Sequence, residues 1–488
     1  MSLASLTRGA RPAVPSVPWT LAIVSLGLFM TTLDNLVVTM ALPAIRHSLG
    51  ASMQSLEWTV NAYTLTFAVL LLTGAALGDR FGRARVFAVG LTVFTGASAV
   101  AALSASTGEL IAARAVQGFG AAIVLPLTLT LLNEAVSPER RGMALGVWGG
   151  VSGLGVAIGP LVGGAVVSGI SWHWIFWLNV PIGLVLIPLA LTRLSESRGP
   201  NPHLDLRGLG LAGLGLLGIT YGVIRGQTLG WTSATILGSL GAGVALAAAF
   251  LVWEARARAP MLPLHLFRSR AFSATNAVSF TMFLGTFGSI FLLAQFFQTV
   301  QGYSPLHAGL MTLPWTGMPM FVAPLAGFLS DRIGSRPLMA TGLALQAAAM
   351  AWLGAVISTT VSYGSLVIPF ILAGVGMALV FAPSANAVLG AVKPSEAGQA
   401  SGATNAIREL GGVMGVAVLA SVFSAHGSYA SPHAYTTGVT AALPIAVAAL
   451  AVGGLIALLV PRLRAAATRT EPADPPMGSL SEGVPVAS

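Results

Sequence analysis

Long apolar stretches divided by short polar gaps repeat along almost the whole chain. A helix needs about 20 apolar residues to cross the hydrocarbon core of a bilayer, and fourteen stretches approach or exceed that length. They lie near residues 19–41, 56–77, 86–105, 109–132, 142–166, 173–192, 208–224, 233–253, 272–297, 308–328, 338–357, 364–390, 403–424 and 438–460. The pattern predicts an all-α integral membrane protein with fourteen transmembrane helices.

The basic residues test this count independently, because cytoplasmic loops carry an excess of Lys and Arg. If the N-terminus lies inside, all but four of the 24 Lys and Arg residues fall in cytoplasmic segments. The exceptions are Arg46 and Arg225 in outer loops and Arg114 and Arg408 within spans. We therefore expect a multi-pass protein of the cell membrane with both termini in the cytoplasm.

Composition excludes several other classes of protein. The chain is 55% apolar and only 8% charged, against roughly 25% charged in soluble domains. The net charge of +9 is dispersed in small groups rather than clustered with aromatic residues, which argues against a nucleic-acid partner and leaves the lipid bilayer. Cysteine is absent, and the one lysine, Lys393, precedes Pro394, so no thiolate metal site and no phosphate-binding G-x-x-x-x-G-K-[ST] loop is present.

The two ends of the chain need separate interpretation. The first span could imitate a signal peptide, but it is too long, contains Asp34 and is not followed by an A-x-A-like site before a soluble domain. We interpret it as a retained helix. Residues 466–488, rich in Pro, Ala, Ser and acidic groups, predict a disordered cytoplasmic tail.

A charged turn occurs twice, 252 residues apart, in equivalent gaps between apolar stretches. The copies are Gly78-Asp79-Arg80-Phe81-Gly82-Arg83 and Ser330-Asp331-Arg332-Ile333-Gly334-Ser335-Arg336. Such an echo predicts a duplicated protein whose halves rock against each other. Gly82 can take a positive φ, and Asp79 can face a helix N-terminus or an arginine of a neighbouring helix. We predict a conformational latch, a set of contacts that hold the cytoplasmic side shut and break when it opens. Its residues are Asp79, Arg80, Gly82, Arg83, Asp331 and Arg332. The alternative is an ordinary cytoplasmic loop rich in arginine.

Two ionisable groups inside spans are the first candidates for mechanism, because a charge at the bilayer centre costs at least about 2.5–3.5 kcal/mol. Asp34 lies in the first span with Thr31, Asn35 and Thr39, of which residues 31, 35 and 39 form one helical stripe, and Asp34 could carry a proton. Arg114 lies in the fourth span with Gln117 and could bias a carboxylate or bind an anion. Estimated depths about 10 Å apart make direct pairing of Asp34 and Arg114 doubtful, with water as a possible bridge. Each residue also has a structural alternative. Asp34 could be a hydrogen-bonded polar group that holds the helices together, and Arg114 could extend its side chain to the outer interface.

Further polar faces occur in the second and thirteenth spans. Glu57 and Asn61 share a face of the second span, and Asn405, Arg408 and Glu409 lie at the cytoplasmic end of the thirteenth. Arg408 with Glu409 is either a gate or coupling pair or a simple interfacial ion pair. We predict proton coupling or transport at Asp34, Arg114, Glu57, Glu409 and Arg408, and a substrate cavity at Asn35, Asn61, Gln117, Gln295 and Asn405.

The fifth span is unusually rich in glycine. Gly155, Gly159 and Gly163 repeat every four residues on one face and allow another backbone to approach closely. Pro160 removes a helical hydrogen bond and favours a bend. These four residues predict a hinge or a sliding contact.

Several motifs occur in a fixed order along the chain. They are Leu33-Asp34-Asn35 with Ala41-Leu42-Pro43, Asp79-Arg80-Phe81-Gly82-Arg83, Arg114-Ala115-Val116-Gln117-Gly118, the glycine-rich segment 150–164 with Gly159-Pro160, Trp172-His173-Trp174-Ile175-Phe176-Trp177-Leu178-Asn179-Val180-Pro181-Ile182-Gly183, and Ser401-Gly402-Ala403-Thr404-Asn405-Ala406-Ile407-Arg408-Glu409-Leu410-Gly411-Gly412. Together they resemble the 14-helix drug:proton antiporters of the major facilitator superfamily. Ala75 and Ala84 depart from the usual loop signature, which has Gly and a basic residue there.

This resemblance implies a fold and a function. The fold would be two pseudo-symmetric six-helix bundles, residues 1–193 and 263–465, with two inserted helices within 194–262. The function would be proton-driven export of a drug or antibiotic-like small molecule by alternating access, with Asp34 and Arg114 as coupling residues. The partners would be a small-molecule substrate and protons, with no cofactor and no metal, and the protein would work as a monomer.

Three rival functions remain open at the level of sequence. A passive facilitator or channel, or an exporter of an endogenous metabolite, would share the helical bundle. An intramembrane serine protease is suggested by Gly150-Val151-Ser152-Gly153, but all seven histidines lie in loops or at span ends, away from Ser152. The charge of the cargo is also open, because Asp34 and Glu409 suit a cation and Arg114 an anion. Heavy use of Arg, Ala and Gly suggests a bacterial source.

Overall fold

The computed structural model describes residues 17–137, 141–198, 205–258, 260, 262–393 and 396–461. All the regular elements in these ranges are helical, and no strand occurs among them. The predicted tail, 466–488, lies outside the described residues. The first nine helices are α1 Val17–Leu49, α2 Met53–Phe81, α3 Arg83–Leu103, α4 Thr107–Ala135, α5 Arg141–Gly169, α6 Trp174–Trp177, α7 Asn179–Arg193, α8 Leu206–Leu229 and α9 Ala234–Arg256.

The second half of the chain follows the same plan. After a 3₁₀ turn at Leu264–Arg268 come α10 Arg270–Thr299, α11 Pro305–Thr316, α12 Met318–Ile333, α13 Ser335–Val356, α14 Gly364–Gly390, α15 Ala397–His426 and α16 Pro432–Ala457. Within the part of the chain that the structure describes, eleven spans are long and apolar enough to cross a membrane, α6 and α7 counting together as one. There are twelve if the parts Met53–Leu71 and Thr73–Phe81 of α2, which meet at 52°, count as one. The all-helical membrane fold is confirmed, and the count of fourteen stays a prediction.

Two predicted spans are each divided into two helices. The sixth is broken between Trp177 and Asn179, and the tenth between Thr316 and Met318. Each break lies just before a proline, at Leu178, three residues before Pro181, and at Gly317, two residues before Pro319. Proline lacks the N–H that would bond to the carbonyl four residues earlier. The helical ladder is therefore interrupted at these points although the apolar pattern continues.

The outer surface of the protein is apolar, and much of its polar chemistry is inside. Leu191, Phe321 and Leu455 are more than half exposed, whereas Asp34 and Arg114 are buried. This is the reverse of a soluble domain and is expected when lipid is the solvent, because polar groups must find partners within the protein.

Packing divides the helices into two groups. Helices α1 to α7 pack mainly on one another, as do α10 to α16, and α8 pairs with α9. The groups meet where α2 contacts α15, where α5 contacts α11 and α12, and where α1 contacts α10. Helix α8 also contacts α2 and α15. The domain boundaries at residues 193 and 263 stay predictions.

Candidate functional site

Asp34 lies in a buried polar network inside the first group of helices. The residue is 2% exposed, and Arg114 Nη1 donates to Asp34 Oδ2 at 2.5 Å. Asp34 Oδ1 accepts from Gln117 Nε2 at 2.8 Å and from Asn179 Nδ2 at 2.7 Å. The carboxylate therefore receives three hydrogen bonds from two helices other than its own.

The doubt about direct pairing of Asp34 with Arg114 was wrong. A depth counted at 1.5 Å per residue holds only for helices parallel to the membrane normal, whereas membrane helices tilt by about 20° on average. It also ignored the length of the arginine side chain, which reaches a full helical turn or more. Arg114 Nη1 contacts Asp34 Oδ2 directly, so no bridging water is needed.

Arg114 is held from several sides. The residue is 0% exposed, so the alternative in which it reaches the outer interface is wrong. Arg114 Nη1 also donates to Gln117 Oε1 at 2.7 Å, and Arg114 Nε donates to the Thr59 carbonyl at 3.3 Å. The guanidinium lies 4.2 Å from the ring centre of Tyr63. Buried ion pairs are tolerated when additional hydrogen bonds satisfy the remaining groups. These contacts do so for Nη1 and Nε, whereas Nη2 has no hydrogen-bond partner among the described residues.

Two members of the network were not singled out from the sequence. Asn179 occurs in the tryptophan-rich motif without an assigned role, and Ser98 was not considered at all. Ser98 Oγ accepts from Gln117 Nε2 at 2.8 Å and from Asn179 Nδ2 at 3.3 Å, and donates to the Phe94 carbonyl at 2.8 Å. A lone amide at the start of an apolar helix was the available signal for Asn179. Ser98 gave no such signal, because serine is an ordinary residue in a helix built of small residues.

A cleft between the two groups of helices contains two of the predicted cavity residues, Asn35 and Asn61. It has a free volume of about 20 Å³ and lies between α1, α2, α10 and α15. Thr39 and Thr64 add polar atoms, and Phe287 and Phe291 belong to its apolar wall. Asn35 directly follows Asp34, so α1 presents an amide to the cleft and a carboxylate to the buried network.

The other three predicted cavity residues have different surroundings. Gln117 belongs to the Asp34 network. Gln295 accepts a hydrogen bond from the Tyr429 hydroxyl at 2.5 Å, and Asn405 Oδ1 lies 3.5 Å from Arg408 Nη1.

Tyr429 connects the two groups near the α15–α16 loop. The Arg46 guanidinium lies 4.1 Å from its ring centre, and its hydroxyl lies 3.4 Å from Met53 Sδ. Burial raises the pKa of Tyr429 well above its usual value, more than the Arg46 charge lowers it. The phenol is therefore a neutral hydrogen-bond donor at this contact.

The remaining coupling candidates lie apart from Asp34. Glu57 is buried, and its Oε2 has no hydrogen-bond partner among the described residues. Arg408 Nη2 donates to Ser384 Oγ at 2.7 Å, and its guanidinium lies 4.6 Å from the Phe381 ring centre. Within the described part of the chain, Arg408 and Glu409 form no ion pair. Adjacent residues on a helix point in different directions, so their proximity in sequence does not pair them.

The first copy of the charged turn is ordered by acidic partners. Gly82 has a φ of 109°, as predicted. Arg83, the first residue of α3, donates from Nε and Nη2 to Asp79 Oδ1 at 3.0 and 2.7 Å and pairs with Glu134 of α4. The N-terminus of α3 is occupied by Glu196, which accepts from the Ala84 and Arg85 amides. All of these partners lie within 79–196, so the role in closing the cytoplasmic side stays a prediction.

The second copy of the turn keeps its backbone but has different contacts. Gly334 has a φ of 85°, and the Ser330 and Ser335 hydroxyls lie 2.8 Å apart. Arg332 is exposed, with its guanidinium 4.4 Å from the Phe328 ring centre. In the first copy, Arg80 is also exposed and lies over Phe81. The side chain of Asp331 lies outside the described residues.

The glycines of α5 allow close contact with two other helices. A Cβ on Gly159 would lie 2.8 Å from Leu36 Cβ, and one on Gly163 would lie 2.8 Å from the Val37 carbonyl oxygen. At Gly155 the nearest contact, with Thr32, is an ordinary 3.4 Å. Pro160 lies on the seam with α11, where a Cβ on Gly309 would lie 2.4 Å from the Pro160 carbonyl oxygen. The predicted close approach is therefore present, and the hinge stays a prediction.

We expect Gly164→Ala to destabilise the seam between α5 and α11. The new Cβ would lie 2.3 Å from the Pro305 carbonyl oxygen, which cannot move without the backbone. Overpacking of this kind costs about 1–3 kcal/mol. Thermal unfolding in detergent micelles measures the effect. Gly150→Ala is the matched control in the same helix, because nothing lies within 4 Å of its added Cβ. An unchanged melting temperature for Gly164→Ala would contradict the prediction.

Comparisons with known proteins are reported against this geometry. The family model described as Major Facilitator Superfamily matches residues 24–416 and 275–483. The tetracenomycin C resistance and export protein of Streptomyces glaucescens is 34% identical over 405 residues, 82% of this chain and 75% of that protein. The cephamycin export protein of Amycolatopsis lactamdurans is 37% identical over 451 residues, 91% of this chain and 92% of that protein.

A solved structure, the D-xylose-proton symporter, resembles the fold. Its TM-score is 0.66 at 15% identity, over 92% of this chain and 99% of that chain. At this identity the likeness concerns the fold alone.

Proposed function

The chain belongs to the major facilitator superfamily as an efflux transporter rather than an enzyme, and from that premise we propose that it is a proton-coupled antiporter. In this proposal it exports a drug- or antibiotic-like small molecule across the cell membrane by alternating access. The class of cargo is suggested by the relatives, whose names state resistance to tetracenomycin C and export of tetracenomycin C and cephamycin.

The observation that supports coupling is the position of Asp34 and Asn35 on α1. Asp34 accepts hydrogen bonds from Arg114, Gln117 and Asn179 inside one group of helices. Asn35 lines the cleft between the groups. Protonation of Asp34 removes the negative charge that Arg114 faces, so the network must rearrange around α1. Because Asp34 and Asn35 are adjacent on α1, a movement of α1 at the network also shifts Asn35 in the cleft wall.

The energy available from protons is sufficient for export. One proton moving through 100 mV releases about 2.3 kcal/mol, and half a pH unit adds about 0.7 kcal/mol. Together these correspond to roughly a hundredfold gradient of cargo. One proton per cycle therefore supports useful efflux.

The remaining architecture is part of the same proposal. Residues 1–193 and 263–465 form two six-helix bundles, α8 and α9 lie between them in sequence, and both termini are cytoplasmic. The unit that transports is the monomer. The two bundles rock about the cleft, with α5 and α11 as the close-packed seam on one side and α2 and α15 on the other.

Transport into inside-out proteoliposomes tests the proposal. We expect tetracenomycin C or a cephamycin to accumulate at least tenfold with an acidic, positive lumen, and this accumulation to vanish when nigericin and valinomycin collapse the gradients. Protein-free liposomes are the control for partitioning. Uptake that equilibrates but never exceeds the outside concentration would identify a passive facilitator. Failure to accumulate either compound would contradict the proposed class of cargo.

A further inference from the structure

The cleft between the two groups of helices contains an amide with no partner. Asn61 is 0% exposed, and among the described residues neither its Nδ2 nor its Oδ1 has a hydrogen-bond partner. The same residue lines the cleft. Buried polar groups are almost always hydrogen-bonded, so an orphaned donor and acceptor on one side chain calls for an explanation.

The other polar groups of the cleft do not satisfy Asn61. Thr39 Oγ1 donates to the Leu36 carbonyl at 2.6 Å, and Thr64 Oγ1 donates to the Val60 carbonyl at 3.2 Å. Both hydroxyl protons are therefore used within their own helices. Asn61 remains a buried donor and acceptor pair on the wall of this cleft, which widens when the two groups of helices rock apart in the proposed transport cycle.

The cleft offers no counter-ion for a charged ligand. Among the described residues that line it, none is charged. Asp34 is turned into its own network, where both of its oxygens accept hydrogen bonds. Glu57 precedes Asn61 by one helical turn and is not part of the cleft wall. An ion moved from water into such a site loses solvation without a compensating partner.

The apolar wall completes the description of a ligand. Phe283 and Phe287 stack with ring centres 5.0 Å apart, and Phe287 and Phe291 lie in the cleft wall. Aromatic faces bind flat apolar surfaces well. The cleft therefore combines an apolar, aromatic wall with a single bidentate hydrogen-bonding group.

We propose that the cleft recognises an uncharged, flat, amphipathic molecule through a donor and acceptor edge that pairs with the Asn61 amide. A lactam or another cis-amide edge has this chemistry, since its N–H meets Asn61 Oδ1 and its C=O meets Asn61 Nδ2. This inference rests on the proposed transport function and adds the chemical class of the cargo, including its lack of charge.

Three small aromatic probes of similar size separate the possibilities. 2-Quinolone is neutral and has both the donor and the acceptor, N-methyl-2-quinolone has only the acceptor, and N-methylquinolinium is a permanent cation. Binding to the full-length protein in nanodiscs is measured by isothermal titration calorimetry, with empty nanodiscs subtracted. We expect 2-quinolone to bind about tenfold more tightly than either of the others, which corresponds to about 1.4 kcal/mol.

Asn61→Leu is the decisive variant, because leucine keeps the size and removes both hydrogen-bonding atoms. We expect it to bind the two neutral quinolones with equal affinity. Gln227→Leu is the matched control, since Gln227 is an exposed amide near the end of α8, and it should keep the wild-type preference. The comparison of probes on the wild type needs no variant and therefore does not depend on the folding of Asn61→Leu.

Each contrary outcome overturns the inference. Wild-type protein that binds N-methylquinolinium as tightly as 2-quinolone would show a site for cations. Equal binding of the neutral probes, no measurable binding of 2-quinolone, or a preference that survives in Asn61→Leu would show that Asn61 does not read this edge. Binding is measured at equilibrium without a pH gradient, so a failure of proton coupling is detected separately, in the proteoliposome assay.

Discussion

Replacement of Asp34 by asparagine is expected to abolish uphill export. Asparagine has nearly the same size but binds no proton in this pH range, so the network around Arg114 can no longer switch. Accumulation in the proteoliposome assay should fall from at least tenfold to onefold. Cargo exchange without a gradient should persist, since Asn35 and Asn61 of the cleft are untouched.

The control for this variant is another carboxylate. Glu109 is exposed at the start of α4, where it accepts a hydrogen bond from the Ala105 amide, and Glu109→Gln should accumulate cargo normally. Glu57→Gln and Glu409→Gln, tested in parallel, show which acidic group carries the proton. If Asp34→Asn still accumulates cargo while one of these two does not, the coupling role moves to that residue.

Loss of Arg114 is expected to have the largest effect on stability. In Arg114→Gln the Asp34 carboxylate would stay buried without its cation, and breaking a buried pair in this way costs about 3–5 kcal/mol. Arg114→Lys should recover only part of this, because one ammonium group cannot replace both Nη1, which contacts Asp34 and Gln117, and Nε, which contacts the Thr59 carbonyl. Thermal and denaturant unfolding in micelles measure the differences.

The double variant Asp34→Asn with Arg114→Gln separates stability from coupling. Removing both charges leaves no uncompensated ion in the protein interior, so we expect near wild-type unfolding together with no proton-driven accumulation. Equal melting of Arg114→Gln and the wild type would mean that the pair contributes nothing to the fold. A double variant as unstable as Arg114→Gln would place the effect in the other contacts of the arginine, such as Tyr63.

Particular residues show where prediction from sequence works. Asp34 and Arg114 stand out because a charge in an apolar stretch is costly, and both are indeed buried. Gly159 and Gly163 stand out because a four-residue repeat places them on one helix face, and both allow close contact with α1. Gly82 stands out in a tight turn and has the positive φ that favours glycine.

Other residues show where it fails. The adjacency of Arg408 and Glu409 suggested a pair, whereas Arg408 contacts Ser384 on another helix. Gln117 and Gln295 were expected in the cavity with Asn61, but they pair elsewhere. A polar residue in a transmembrane span needs a hydrogen-bonding partner. Which residue becomes that partner depends on how the helix is rotated and on the angle at which it crosses its neighbours, and neither can be derived from the sequence of one helix.

The sequence by itself determined the solvent of this protein, its helical class, the lipid-facing surface and the residues whose burial requires compensation. These follow from local hydrophobicity and from periods of three to four residues. Only the tertiary structure decided that Asp34 joins Arg114, Gln117 and Asn179, and that Asn35 and Asn61 face one cleft. Those contacts join residues 26 to 145 positions apart, and they depend on tilt, side-chain reach and close packing between helices.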